Sequence, residues 1–498
     1  MKLPEHVETL IVGAGFAGLG LAARLLREDL GADVVLIERG ADIGGTWRDN
    51  TYPGCACDVP TALYSYSFAP SADWSHTFAR QPEIYAYLKK VATDSGIERR
   101  VVLNCELEAA VWDDELAVWH VQTSVGSLTA KILVAATGAL STPKTPDFPG
   151  LEQFSGTTFH SATWNHEHDL RSERVAVIGT GASAVQFVPE IVDSAAHVTV
   201  FQRTPAWVIP RGDRTLSSAQ KTLYARIPAT QKAIRGVVYG FRELLGAAMS
   251  HATWVLPAFE KVAKAHLRRQ VKDPELRRKL TPDFTIGCKR MLLSNDWLRT
   301  LDRPDVGLVD SGLVSVTEHG VVDGDGVEHE VDTIIFATGF TPTEPPVAHA
   351  IRGISGETLA SHWNRSPSAY KGTTVSGFPN LFLMYGPNTN LGHSSIVYML
   401  ESQAEYINDA LRIMKSEGID SLDVEDSVQV RYNQDIQHDL QRTVWNKGGC
   451  SSWYIDSEGR NSVQWPTFTF TFRSRLSRFD RENYAVRTVG RVADVERS

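Results

Sequence analysis

Cysteine is scarce in this chain, five residues in 498, and none of them belongs to a CxxC pair. Cys55 and Cys57 form only a CxC, with no second pair to complete a tetrahedral site, so no zinc or other metal centre is expected. Cys105, Cys288 and Cys450 are scattered, and an odd number of dispersed cysteines predicts free thiols in a reducing cytoplasm. Long basic runs are also missing. With 50 Lys and Arg against 59 Asp and Glu, a formal charge of −9 and a pI near 5.9, the chain lacks the clustered cations of a nucleic-acid surface, and its net charge gives no attraction to a membrane. The chain passes from Met1 into the strand-like Glu8-Thr9-Leu10-Ile11-Val12 without a charged n-region or cleavage site, so no secretory signal is expected. Low-complexity segments are absent. What remains is an ordinary globular composition, 42% hydrophobic, long enough for about two to four domains.

Thr9-Leu10-Ile11-Val12 reads as a buried parallel strand, and Gly13-Ala14-Gly15-Phe16-Ala17-Gly18 follows it directly before a helical stretch from Leu19 to Arg27. A second strand, Asp33 to Ile37, ends in Glu38. This is the GxGxxG context of a dinucleotide site: Gly13, Gly15 and Gly18 let a pyrophosphate approach the helix N-terminus, where free amides and the dipole favour negative charge. Glu38 stands where a carboxylate accepts hydrogen bonds from ribose hydroxyls; the plainer alternative is a Gly-rich turn with a surface Glu. The strand-like Val175-Ala176-Val177-Ile178 leads into a second fingerprint, Gly179-Thr180-Gly181-Ala182-Ser183-Ala184, with a helix through Gln186 and Val188. Ala184 replaces the third glycine, which helix–strand packing tolerates. The next strand, His197 to Phe201, ends in Gln202-Arg203-Thr204 rather than an acid. A carboxylate there would repel a 2′-phosphate, whereas the Arg203 guanidinium can bind it by a charge-assisted contact, so this site should prefer NADPH. Read more plainly, Arg203 is a solvated charge at a strand end.

Between the two fingerprints lies Phe154-x-Gly156-x-x-x-His160-x-x-x-Trp164. A Phe, Gly, His and Trp at this spacing resembles the signature of the type I Baeyer–Villiger monooxygenases, although Asn165 stands where that family usually has Pro or Asp. The resemblance covers about residues 8 to 480. Gly44-Gly45-Thr46-Trp47, then Tyr52-Pro53-Gly54 and Asp58, resembles the second FAD-contacting stretch of flavin monooxygenases. Ile132 to Gly138 and Thr333 to Phe340 each carry an Ala-Thr-Gly turn resembling the segments that cross between the two domains, which implies cofactor contact at Gly138 and Gly339. Asn380 to His393, followed by a helical stretch from Ser394 to Leu411, resembles the segment that returns to the flavin.

The resemblance implies an α/β fold with two Rossmann-like dinucleotide-binding domains, for FAD and NADP, and a helical insertion in the second. The FAD domain would occupy 1–145 and, discontinuously, 341–498 with a C-terminal loop; 146–168 would be a linker carrying the motif; 169–340 would form the NADP domain, interrupted at about 211–280. FAD contacts are implied for Gly13, Gly15, Phe16, Gly18, Glu38, Thr46, Trp47, Asp58, Tyr64, Gly138, Gly339 and Ile396, and NADP contacts for Thr180, Gly181, Ala182, Ser183, Ala184, Gln186, Arg203, Thr204 and Lys289. In Gly287-Cys288-Lys289-Arg290 the resemblance places Arg290 over the flavin, held by Asp58, whereas without it Lys289 and Arg290 read as surface charges. His160 would couple domain movement to catalysis; a linker histidine is otherwise a structural hydrogen-bonder. Gly449-Cys450-Ser451-Ser452-Trp453-Tyr454 resembles the family's mobile loop, leaving Trp453 equally a substrate contact or a core residue.

The implied reaction inserts one oxygen atom of O2 beside a ketone carbonyl through a C4a-peroxyflavin, consuming NADPH and giving an ester or lactone; a fixed cation beside the reacting atoms suits the charge that develops. The alternatives are a flavin monooxygenase that N-hydroxylates amines or oxidises sulfides, a disulfide reductase, disfavoured by the lack of CxxC, and a flavin-bound redox sensor or scaffold. No Ser-His-Asp set or carboxylate pair stands out. Leu244–Phe259 contains no Asp, Glu, Lys or Arg, but its sixteen residues include His251 and Pro257 and fall short of the about twenty of a spanning helix. It is expected to pack on the domain or the cleft, or to touch a membrane interface. The charged tail from Val486 onward reads as frayed.

Overall fold

The strand His6–Val12 lies at the centre of the first sheet, pairing in parallel with Val34–Glu38 on one side and Gly126–Ala135 on the other. In this computed structural model, which describes residues 2–31, 33–341, 343 and 345–488, Leu10 and Ile11 of that strand are fully buried. A run buried on both faces explains why it reads as continuous apolar sequence rather than an alternation. Gly126–Ala135 is long enough to serve two further partners, an antiparallel neighbour at Val118–Thr123 and the parallel Leu381–Leu383. Both Leu381–Leu383 and Ile351–Arg352, at the sheet edge, come from beyond the second domain. The first sheet is therefore built from two separate stretches of chain.

The second sheet is wholly parallel, in the order Val306–Val309, His197–Phe201, Arg174–Ile178, Thr333–Phe336, Thr157–His160. The connector thus supplies an edge strand. Its motif glycine has a steric cause: a Cβ on Gly156 would lie 2.2 Å from the Asp332 carbonyl oxygen and 2.6 Å from the Phe154 ring. Trp164 closes the same corner, its ring 5.1 Å from Phe159 and 5.2 Å from Phe187 of the helix Ala182–Ile191.

Helices Ser218–Arg226, Pro228–Ser250, Leu256–Gln270 and Pro274–Lys279 form the insertion. Their starts are written in sequence: Ser217 and Gln220 make a reciprocal capping box, Pro228 occupies the first turn, and Asp273 caps the helix opened by Pro274. The uncharged stretch Leu244–Phe259 packs inward only in part. Met249 and Leu256 are buried, but Leu244 and Trp254 are 71% and 81% exposed, because a helix that covers a domain has a second face. At the other end, Tyr484–Arg487 pairs antiparallel with Ser421–Val424, so Val486 is in a strand and not in a frayed tail; residues 489–498 lie outside the described residues.

Candidate active site

The two glycine loops have the same construction. Gly13 (φ 106°) and Gly179 (φ 110°) each sit so close to an Ala-Thr-Gly turn that a Cβ would lie 2.6 Å from a carbonyl oxygen, that of Ala136 in one case and Ala337 in the other. Each glycine amide donates to the end of the neighbouring strand, Gly13 to the Ile37 oxygen at 2.8 Å and Gly179 to the Phe201 oxygen at 3.0 Å. Gly18 packs its helix onto the Gly13 carbonyl, and Ala184 is fully buried at the equivalent place. The helices that follow start at Gly15 and Gly181 with neither a side-chain cap nor an acid in the first turn. Uncapped amides of this kind suit an anionic pyrophosphate.

Around the first loop, Gly44 donates to the Ala14 oxygen at 2.8 Å and Gly45 approaches Gly15. Glu38 accepts from the Ala14 and Gly40 amides at 3.0 and 2.9 Å and from Arg48 at 2.8 Å. Thr46 opens the short helix Thr46–Asp49. The Trp47 indole donates to the Tyr64 hydroxyl at 3.0 Å, and the Tyr64 ring meets Phe16 edge-on at 5.0 Å. Gly138 and Gly339, both at positive φ, face open space, with nothing within 4 Å of an added Cβ. Ile396 begins the helix Ile396–Glu417. Nearby loops contain buried polar atoms without a protein partner, Asn388 Oδ1, Ser394 Oγ and Ser462 Oγ among them. Unsatisfied buried acceptors and donors are costly, and here they fit a polar group bound beside the Asn388–Ser394 loop.

At the second loop, Thr180, Gly181, Ala182 and Ser183 form the open helix start, and Arg203 is exposed at the strand end with Thr204 beside it. Burial and the Arg203 charge together lower the Lys289 pKa, so two cations lie close enough to repel. Gln186 has another task. Its side-chain oxygen accepts from Tyr52 at 3.1 Å and from the Ala56 amide at 3.2 Å, while its nitrogen donates to the Ala56 oxygen at 3.0 Å, clamping the second domain to the first.

Arg290 and Asp58 meet across the same boundary. The guanidinium donates from Nε to Oδ2 at 2.8 Å and from Nη2 to Oδ1 at 2.6 Å, a two-pronged contact between domains. Burial opposes ionisation of Asp58, but the charge and hydrogen bonds of Arg290 outweigh it, with Arg242 adding to them, and hold the carboxyl below its ordinary value. The Asp58 charge in turn raises the Arg290 pKa. Two further arginines anchor the loop backbone, Arg211 donating to the Cys57 oxygen at 3.1 Å and Arg242 to the Asp58 oxygen at 3.4 Å. Neither belongs to a sequence motif: Arg242 lies on the helix Pro228–Ser250 and Arg211 in the loop before the first insertion helix. The Arg290 side chain remains 44% exposed despite its partner.

His160 is buried at the end of its strand, with Nδ1 accepting from the Ala162 amide at 3.0 Å, Nε2 unpartnered, and its ring 6.0 Å from Phe340 beside the Gly339 turn. Trp453 is 45% exposed, so the core reading does not hold. It lines a cavity together with Gly138, Trp363, Tyr385 and Val463.

Cys288 and Cys450 are joined in a disulfide across 162 positions, correcting the expectation of five free thiols. The separation hid the pair; folding brings the loop bearing Arg290 against the loop bearing Trp453. Cys55, Cys57 and Cys105 are free and buried, and burial pushes the Cys55 thiol up to about 11, the opposite of a reactive redox thiol. No group of His, Cys, Asp or Glu able to hold a metal occurs among the described residues.

A family model described as pyridine nucleotide-disulphide oxidoreductase matches residues 10–233. A Baeyer-Villiger monooxygenase of Pseudomonas aeruginosa is 46% identical over 486 residues, 97% of this chain and 92% of that protein. The chain belongs to the Baeyer–Villiger monooxygenase family. The fold agrees: a structure of OTEMO complexed with FAD and NADP superposes with a TM-score of 0.86 at 26% identity, covering 97% of this chain and 99% of the other. That of cyclohexanone monooxygenase from Rhodococcus sp. Phi1 bound to NADP+ gives 0.85 at 28%, covering 98% and 100%. This Baeyer–Villiger monooxygenase is a flavoprotein, with FAD and NADP as cofactors.

Proposed function

We propose that this monooxygenase inserts one oxygen atom of O2 beside the carbonyl of a small-molecule ketone, consuming NADPH and releasing an ester or lactone, with Arg290 facing the reacting carbonyl. The two-pronged pair with Asp58 carries the proposal. FAD, once reduced by NADPH, supplies the activation of dioxygen. The protein supplies position and charge. Asp58 fixes the plane of the guanidinium, and the exposed part of Arg290 stabilises the negative charge that builds on the carbonyl oxygen under attack; a preorganised cation needs no reorganisation at that moment. Arg211 and Arg242 hold the Asp58 loop, and Arg290, with Arg242 adding to it, keeps the Asp58 carboxyl ionised. Glu38, which already accepts from the Ala14 amide of the fingerprint and from the Gly40 amide, takes the ribose of FAD. Gly13, Gly15, Phe16, Gly18, Thr46, Trp47, Tyr64, Gly138, Gly339 and Ile396 shape the rest of that site. Thr180, Gly181, Ala182, Ser183 and Ala184 form the pyrophosphate cradle of the second site, and Arg203, Lys289 and Thr204 take the 2′-phosphate of NADPH. Gln186 acts mainly as a clamp between domains. His160 is a positioning residue at the base of the Gly339 turn, and Trp453 is a substrate contact. A cytoplasmic location belongs to the same proposal; the three unpaired buried cysteines support it, and the Cys288–Cys450 disulfide counts against it.

The test is product analysis. The FAD-loaded enzyme, given NADPH and isotopically labelled dioxygen with a panel of cyclic, linear and aromatic ketones, should yield an ester or lactone containing one labelled oxygen. NADPH consumption that ends in hydrogen peroxide, or that converts only amines or sulfides, would defeat the proposal.

A further inference from the structure

We propose that the outer face of the helix Pro228–Ser250, together with the turn Thr253–Val255 that follows it, docks on an anionic lipid bilayer surface. Along this helix Ile234, Val237, Phe241 and Leu244 recur at the three- and four-residue spacing of one stripe, and all are exposed, Val237 and Leu244 to 71%. Ala233, Gly236 and Gly240 are exposed between them, and a Cβ on either glycine would meet nothing within 4 Å. The two arginines in this span turn inward. Arg235 donates to the Ala62 and Ser65 carbonyl oxygens at 2.9 and 3.0 Å, and Arg242 to that of Asp58. No charged head therefore interrupts the outer stripe from Ala233 to Leu244. Trp254 extends the apolar surface past the helix end, and Ile227 precedes it. Continuous apolar surface of this kind marks an interaction site rather than ordinary solvent exposure.

Charge selects the occupant. Residues 211–280 carry fifteen Lys and Arg against five Asp and Glu, a local excess of ten positive charges in a chain whose total is −9. The net figure conceals this segregation. Arg226 and Lys232 stand exposed at one end of the stripe, and Lys261, Arg268 and Arg269 are exposed on the next helix. An apolar stripe with Trp and Phe, flanked by cations, is the composition of an interfacial helix, and anionic headgroups attract each nearby cation. A second copy of this chain would instead oppose like charges. No helix among the described residues is long and apolar enough to cross a membrane, so the contact lies on the surface. The helix's inner face meanwhile reaches the active site: Arg242 touches Asp58, and Gly246 packs on His393. One helix thickness would then separate the bilayer from the catalytic pair, so an apolar substrate could enter without crossing bulk water. Docking itself does not depend on which substrate that is.

The experiment is flotation of the FAD-loaded full chain with vesicles of phosphatidylcholine alone or mixed equally with phosphatidylglycerol. Wild type should float with the mixed vesicles and lose binding as salt is raised. The triple variant Val237→Ser, Phe241→Ser, Leu244→Ser should bind on the order of a hundredfold more weakly, while its NADPH oxidation with a water-soluble ketone is unchanged. The double variant Lys232→Glu, Lys261→Glu should lose preference for phosphatidylglycerol. Equal binding to both vesicle types, or undiminished flotation of the triple variant, overturns the proposal. So does a wild-type dimer in sedimentation that the triple variant dissolves without any flotation, which would give this face to a second copy.

Discussion

Arg290 and Asp58 are 232 positions apart, yet they meet, and in the proposed reaction their contact sets the charge beside the reacting atoms. Removing the cation should separate reduction from oxygen transfer. Arg290→Ala is expected to let NADPH bleach the flavin at a near-normal rate while ester formation falls roughly a hundred- to a thousandfold, read by single-turnover reduction and by product yield. Normal yield would remove Arg290 from the mechanism. At the second loop, Arg203 and Lys289 repel one another unless an anion lies between them. Charge reversal in Arg203→Glu should therefore raise KM for NADPH roughly tenfold to a hundredfold, as expected for loss of a charge-assisted contact. KM for NADH should hardly change, and equal losses with both coenzymes would count against a 2′-phosphate site.

The strand Ser421–Val424 offers a test at the level of an element. Asp423 within it accepts from the Gly377 amide at 3.0 Å, but burial outweighs that bond and raises its carboxyl to about 7. A carboxyl whose folded pKa is raised favours the folded state while protonated. Its contribution is fully present below the unfolded value and is lost as pH climbs through about 7. The melting temperature of the wild type should thus decline from about pH 4 to pH 7 by an amount that Asp423→Asn abolishes, the amide remaining neutral and still able to accept from Gly377. Identical pH profiles for the two proteins would mean that Asp423 is solvated. His393 acts in the opposite sense: burial, reinforced by the Arg242 charge, lowers its pKa to about 4, so its contribution declines as pH falls from about 6.5 towards 4.

Over the whole molecule, the links that fasten the two domains around the site include Gln186 on Ala56, Arg290 on Asp58, the Arg211 and Arg242 anchors of the Asp58 loop, and the Cys288–Cys450 disulfide that ties the Arg290 loop to the Trp453 loop. Alkylation after unfolding without reductant should modify three thiols, and five after reduction. Five in both conditions would mean the bond does not form. Cys450→Ser should cost about 2–4 kcal/mol of unfolding free energy, measured in denaturant. Much of this architecture was legible before folding was considered. Both glycine fingerprints, the two Ala-Thr-Gly turns, and Glu38 against Arg203 were readable because each answers to neighbours within a few positions, where backbone geometry leaves few residue choices. The Arg290–Asp58 pair was legible only through family resemblance. Arg211 and Arg242 at the Asp58 loop, the joining of Cys288 to Cys450, the exposure of Trp453, and the outward stripe from Ile234 to Leu244 had no such signal. Sequence by itself determined the local rules, which strand ends in glycine and which loop carries an acid or a base. Tertiary structure alone decided which distant side chains meet and which apolar face is left uncovered, because contact across the fold depends on chain closure that no short spacing encodes.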